Sequence, residues 1–337
     1  MTFIIAEAGS NHNGEWSKAT ALIDAAVAAK CDAVKFQTFS ADTLFSKYSP
    51  DFANYKDIVG IIRKNELPRH WQKDLKLYCD DRGIEFMSTP FDEQAVDELV
   101  ELGVKRLKIA GFEATDPRFV KMVAKTGLPL IVSFGIGATW FSVKMIWNWI
   151  HEANGSKDLT FLHCNNAYPT PYKDISLGNI RLIKEEIREW DNLPYVKVGL
   201  SDHTRDILIP PIAVGMGAEC IEKHFTLDQS LPGPDHHFAI EPHELAQMVE
   251  DIRIVETAVG IKISEYTNSE KNFKIGTRSV IALRDMKKGE VLIEENVTTK
   301  RPCTEGAIPA LNYYEVLGRQ LTQDVREDEI LLWSMLN

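Results

Sequence analysis

From Phe3 onward the chain alternates short β-branched apolar runs with amphipathic stretches of about 10 to 18 residues. Eight runs predict strands: FIIAEAG (3–9), AVKFQTF (33–39), IEFMSTP (84–90), VKRLKIAG (104–111), PLIVSFG (129–135), TFLHCN (160–165), VKVGLSD (196–202) and CIEKHFT (220–226). Between them lie helix-like stretches such as WSKATALIDAAVAAK, PRHWQKDLKLYCDDRG and DEQAVDELVELG, several ending in glycine as a C-cap would. Eight strands alternating with helices over about 250 residues predict a (β/α)₈ barrel; an open doubly wound sheet is the alternative. After His224 comes LDQSLPGPDHHFAIEP, a proline-rich segment that reads as a shaped loop over the barrel mouth, before a helix beginning PHELAQMV.

Beyond residue 260 the pattern changes. A polar linker over 261–275 leads to short strand-like segments, RSVIALRDM, KGEVLI and VTTKRP, which predict a small β-rich domain over 276–337. The division expected is therefore a barrel over 1–260, the linker, and a second domain whose core is small enough for docking on another surface to help it.

Composition narrows the class. The chain has 337 residues, 44% hydrophobic and 26% charged, ordinary for a soluble enzyme. No apolar run approaches the roughly 18 to 20 residues of a membrane span. The N-terminus has no basic region before its first strand, so neither a signal nor a transit peptide is expected, and the cytoplasm is the expected location. Five cysteines with no CxxC spacing suit reduced, mostly buried thiols. A net charge of −11 argues against nucleic acid or an anionic membrane as partner.

Catalytic side chains of a barrel gather at the C-terminal ends of its strands. Those ends offer Glu7, Lys35 with Gln37, Thr89, Lys108 with Glu113, Ser133, Asn166 with Tyr168, Asp202 with His203, and His224. Any one alone reads as a loop residue; their joint placement predicts a site. His203 and His224, each where a strand runs out, predict a shared metal ion. In the loop that follows, Asp235 is a candidate for binding sugar hydroxyls, while His236 and His237 are expected to be exposed polar residues.

With these residues in view, the chain resembles the sialic acid (nonulosonic acid) synthase family. The resemblance is carried by IIAEAGSNHNG, AVKFQTF, STPFD, LKIAGFE, LHCNNAYPTPY, VGLSDHT, IEKHFTLD and PGPDHHF, in order. RSVIALRDMKKGEVLIEENVTTKRP is similar to the antifreeze-like, or SAF, domain that follows the barrel in that family. The resemblance implies condensation of phosphoenolpyruvate with an amino-sugar aldose, N-acetylmannosamine or a diacetamido hexose, to a nine-carbon acid with release of phosphate. It implies a divalent metal on His203 and His224, Mn²⁺ first, with Mg²⁺ or Co²⁺ as alternatives.

On this reading Lys35 and Lys108 bind the phosphoenolpyruvate anion, supported by donors from Thr89, Ser133, Asn166 and Ser201. Glu7 orients or deprotonates the attacking water. Gln37, Tyr168 and Asp235 position the sugar, and Glu113 and Glu222 orient the lysines or histidines from behind. The resemblance further implies a domain-swapped homodimer in which Arg301 reaches the partner's sugar.

Two departures stand out: Gly111 replaces a serine that many members carry after the strand-four lysine, and Phe134 is expected to set a bulky ring beside the pocket. Two alternatives are carried, a catalytically inactive carbohydrate-binding homologue and a synthase for a phosphorylated aldose. The latter needs an additional phosphate site, and extra cations for one are not evident.

Overall fold

Strand alternation sorts side chains onto two faces, and each face finds its own layer. The computed structural model describes residues 1–51, 56–156, 158–188, 196–260 and 266–337, so the first part of the expected linker, 261–265, lies outside the described residues. The strands are β1 (Phe3–Gly9), β2 (Ala33–Thr38), β3 (Glu85–Pro90), β4 (Leu107–Ile109), β5 (Leu130–Phe134), β6 (Leu159–Cys164), β7 (Val196–Asp202) and β8 (Cys220–His224). Each falls within its predicted run or one residue beyond it. Their order is β3-β2-β1-β8-β7-β6-β5-β4, with every hydrogen-bonded pair parallel. Pairing of β1 with β8 rules out the open doubly wound alternative, and β3 packs beside β4 to make a near-closed barrel.

Outward-facing Val34, Phe36, Val132, Phe161, Leu200 and Ile221 pack under the surrounding helices. Inward-facing Ile5, Ala33, Met87, Ile131, Leu162 and Cys220 form a separate apolar plug inside the barrel. The helices follow ordinary rules: Glu93–Glu101 starts at Asp92, whose carboxylate accepts from the Ala95 amide at 2.7 Å, and Trp71–Arg82 stops at Gly83 with φ of 73°. All five cysteines are free, and four of them are buried. Among the described residues no helix is long and apolar enough to cross a membrane.

At the C-terminal end of the barrel, the loop after β1 ties down the loop after β8. Asn11 Nδ2 donates to the Phe225 carbonyl at 2.8 Å and Asn13 Nδ2 to the Pro232 carbonyl at 3.0 Å. His236 is expected from sequence to be exposed; instead it is fully buried. Both its ring nitrogens are used, Nε2 with Asn13 Oδ1 at 3.0 Å and Nδ1 with Thr226 Oγ1 at 2.6 Å. Burial pushes its pKa down to about 4, so the ring is neutral. Since Asn13 Oδ1 only accepts, Nε2 donates and Nδ1 takes the threonine hydroxyl proton. His237 is exposed, as expected.

The chain divides into two compact units, Met1–Gly260 and Ile261–Asn337. In the second, β9 (Ser279–Ala282) pairs antiparallel with β10 (Val297–Lys300) over a core that includes Val280, Leu292, Ile308, Val316 and Leu331. KGEVLI, read from sequence as strand-like, forms only an isolated bridge between Val291 and Gln320. The ladder is too short there to carry a strand.

Two outcomes are expected from these contacts. Replacing Asn13 by alanine strands the buried His236 Nε2–H, and an unpaired buried donor costs about 1–3 kcal/mol; a denaturant midpoint measures it, with faster amide exchange over 227–239. His12, fully buried, accepts from the Gly14 amide at 3.0 Å, and its Nε2 has no hydrogen-bond partner. Burial lowers its pKa from 6.5 to about 4. A histidine depressed on folding leaves stability intact above its unfolded pKa and lost as pH falls toward the folded one. Going from pH 7 to pH 5 therefore costs about 2 kcal/mol through this residue. His12→Gln should show a smaller drop in urea midpoint between those pH values, and an equal drop would reject the assignment.

Candidate active site

One step above the apolar plug the inward positions become charged. Strand register sets this: Glu7 lies beside Lys35 across β1 and β2 and beside His224 across β1 and β8, while Ser201 faces Glu222 across β7 and β8. Lys35 Nζ lies 2.9 Å from Glu7 Oε2, 3.6 Å from Glu222 Oε2 and 2.7 Å from Thr89 Oγ1. Lys108 Nζ lies 3.3 Å from Glu222 Oε1, which also accepts from Ser201 Oγ at 3.1 Å. Gln37 Nε2 donates to Glu7 Oε1 at 2.7 Å. The four charged side chains are at most 5% exposed, so two lysines and two carboxylates neutralise each other in a dry interior.

The two carboxylates are not equivalent. Burial pushes Glu7 up, against the pull of Lys35, and the neighbouring Glu222 charge pushes the same way. Burial also raises Glu222, but Lys108 and Lys35 together outweigh it and hold that carboxyl low. Lys35 is held above its ordinary value because Glu222 and Glu7 overcome the burial that opposes its charge. Neighbouring acids of unequal basicity can divide proton donation from charge stabilisation.

His203 and His224 stand at the mouth with ring centroids 5.4 Å apart. His203 Nδ1 lies 2.6 Å from the Asn165 carbonyl, which makes Nδ1 the protonated nitrogen and leaves the lone pair on Nε2. Burial lowers His203 to about 4 and His224 well below its usual range, so both rings are neutral. His224 Nδ1 is buried without a hydrogen-bond partner; Asp235 Oδ2 is 3.7 Å away. Neutral imidazoles with an orphaned ring nitrogen suit a divalent cation. Among the described residues no three or more His, Cys, Asp or Glu side chains are grouped so as to hold an ion between them, so a cation on these two histidines would keep open positions.

Tyr168 lies over His203 at 4.3 Å between centroids and against Phe238 at 5.3 Å. Asn166 packs on two glycines: a Cβ on Gly135 would meet its Oδ1 at 2.0 Å, and one on Gly111 its Nδ2 at 3.1 Å. The departure at Gly111 thus makes room for the Asn166 amide. Ser133 faces inward, buried, with its hydroxyl unpartnered.

Three readings from sequence need correction or relocation. Phe134 does not face the buried charged groups; since Ser133 points in, alternation turns Phe134 outward onto Phe161 and His163, with centroids 6.1 Å and 6.0 Å away. Among the described residues Glu113 forms no direct ion pair with a lysine: burial raises its carboxyl against a weaker opposing pull from the Lys108 charge, and its Oε2 has no hydrogen-bond partner. Glu222 takes that part for both lysines. Arg301 belongs to the second unit, exposed just past β10. Two further residues are not singled out by the sequence, Asn13, whose side chain holds His236, and Lys223, buried beside Asp202; a lysine inside an otherwise apolar strand is the signal that points to the latter.

Comparison with known proteins places this geometry. Residues 22–264 match the NeuB family and residues 277–337 the SAF domain. The chain is 39% identical to the N,N'-diacetyllegionaminic acid synthase of Campylobacter jejuni, over 98% of each chain. It is 34% identical to a pseudaminic acid synthase of the same species, over 98% of this chain and 95% of that one. A crystal structure of N-acetylneuraminic acid synthetase from Leptospira borgpetersenii, in complex with citrate, superposes with a TM-score of 0.72 at 32% identity, covering 81% of this chain and 90% of that one. The NeuB match runs through every strand from β2 to β8 and through both histidines, and with full-length relatives at this identity the chain belongs to the NeuB family, as a nonulosonic acid synthase with a C-terminal SAF domain.

Proposed function

We propose that this synthase condenses phosphoenolpyruvate with a diacetamido hexose, forming an N,N'-diacetyllegionaminic-type acid and inorganic phosphate. The observation that carries the chemistry is the buried set Glu7, Lys35, Glu222 and Lys108 directly beneath His203 and His224. Support for the sugar comes from two relatives, at 39% and 38% identity, named as N,N'-diacetyllegionaminic acid synthases, against 34% for pseudaminic acid synthase. N-acetylmannosamine and the pseudaminic precursor are the competing acceptors.

Synthases of this family generally use a divalent metal. His203 and His224 would hold it, Mn²⁺ in this reading, and it would supply Lewis-acid polarisation of the sugar carbonyl. Lys35 and Lys108 hold the phosphate and carboxylate of phosphoenolpyruvate, and Thr89, Ser133, Asn166 and Ser201 add neutral donors. Bound in this way, C3 of phosphoenolpyruvate faces the aldehyde carbon; the C2=C3 pair forms the new carbon–carbon bond, the carbonyl double bond opens to an oxygen that takes up a proton to become a hydroxyl, and C2 is left cationic. Glu7 then accepts a proton from the water that adds at C2, and the C2–O bond breaks to release phosphate. Its raised basicity, next to Gln37, suits that task. Gln37, Tyr168 and Asp235 face the sugar.

This reading assigns catalysis to a barrel over 1–260, a linker over 261–275 and the SAF domain over 276–337. It pairs two chains as a homodimer, with Arg301 of one chain reaching the sugar in the other. Exposed Leu311 and Tyr314, at 97% and 78%, are apolar surface that such a partner would cover.

The test follows phosphate release from phosphoenolpyruvate with Mn²⁺ and each of the three acceptors. Release should be greatest with the diacetamido sugar of the legionaminic series and vanish on chelation or with His203→Ala. Glu7→Gln should lower kcat by about 10²–10⁴-fold with phosphoenolpyruvate affinity kept. Faster release with N-acetylmannosamine would replace the sugar assignment, and release with none, while metal and phosphoenolpyruvate bind, would leave a binding protein.

A further inference from the structure

Behind the two histidines, on the helix side of the barrel wall, lies a buried ion pair that the chemistry above does not use. The β7–β8 ladder pairs Ser201 with Glu222 and then Asp202 with Lys223, so His203, just past the end of β7, and His224, the last residue of β8, come next. Ser201 and Glu222 meet inside the barrel. Asp202 and Lys223, one step on, turn the other way. Lys223 Nζ lies 2.7 Å from Asp202 Oδ2, with side chains 1% and 0% exposed. Thr204 closes the knot: its amide donates to Asp202 Oδ1 at 3.0 Å, its hydroxyl to Oδ2 at 2.9 Å, and its carbonyl accepts from Lys223.

An ion pair this deep is a poor source of stability, because desolvating both charges offsets most of their attraction, and an apolar pair of similar volume is often as stable. What an apolar pair lacks is direction. Here the partners are the residue before His203, the residue after it, and the residue before His224. Each anchor is therefore one residue from a candidate ligand, and together they hold the ends of β7 and β8 at one spacing.

We propose that Asp202, Lys223 and Thr204 are positioning residues for the divalent-cation site, setting the separation and direction of the His203 and His224 rings without touching ion or substrate. The inference rests on the reading of those histidines as metal ligands. Supporting groups of this kind tune affinity about 10–100-fold.

Mn²⁺ binding to the full chain, followed by the electron paramagnetic resonance of free and bound ion, tests this without any sugar. The double variant Asp202→Leu with Lys223→Met should melt within a few degrees of the unaltered chain and bind phosphoenolpyruvate within about twofold. Its Mn²⁺ affinity should fall about 10–100-fold, with a broadened bound signal. Unchanged Mn²⁺ affinity, or an equal loss of phosphoenolpyruvate binding, would overturn the proposal. Should the double variant fail to fold, Asp202→Glu keeps the charge and shifts the carboxylate by one methylene. A several-fold loss of Mn²⁺ affinity there supports the proposal and none overturns it. If the unaltered chain binds Mn²⁺ no better than His203→Ala, the metal assignment itself falls, and this inference with it.

Discussion

Four charges held out of water inside the barrel are the constraint to which the rest of the molecule answers. Glu7, Lys35, Glu222 and Lys108 come from four strands, and none could be buried alone, since a lone ion in such surroundings would lose its charge or unfold the chain. Glu222 resolves the problem by bridging both lysines, one on each carboxylate oxygen, with Ser201 filling a further site. Glu7 is left with a single lysine and an amide, and so remains the more basic acid.

The surroundings keep that arrangement dry and stiff. Below it the plug of Ile5, Ala33, Met87, Ile131, Leu162 and Cys220 denies water a path through the barrel. Above it the loops after β1 and β8 are tied together through Asn13, His236 and Thr226, which brings Asp235 to the side of His224. Low local dielectric strengthens each polar contact in between, and fixed donors need no rearrangement when charge moves.

Much of this was readable one segment at a time. The alternation in AVKFQTF or PLIVSFG predicts a strand and also says that Lys35 and Phe36, or Ser133 and Phe134, face opposite ways. Applied strictly to β5, the same rule would have sent Phe134 outward. The burial of His236 escapes the sequence for a different reason: its partners Asn13 and Thr226 are 223 and 10 residues away, and a histidine in a proline-rich loop carries no mark of either. Lys223 hides likewise, its charge meaningful only against Asp202 on the neighbouring strand.

By itself the sequence determined the eight strands with their intervening helices, the two histidines at adjacent strand ends and the family to which the ordered motifs belong, while closure into a barrel waited on the pairing of β1 with β8. Those depend on short-range periodicity and on residues read where they stand. Only the tertiary structure decided that Glu222, and not Glu113, bridges the lysines, that His236 is an internal tether and that Asn166 packs on two glycines. Pairing of buried polar groups is settled by which side chains the closed barrel brings within a hydrogen bond's length, and that distance is set across strands far apart in the chain.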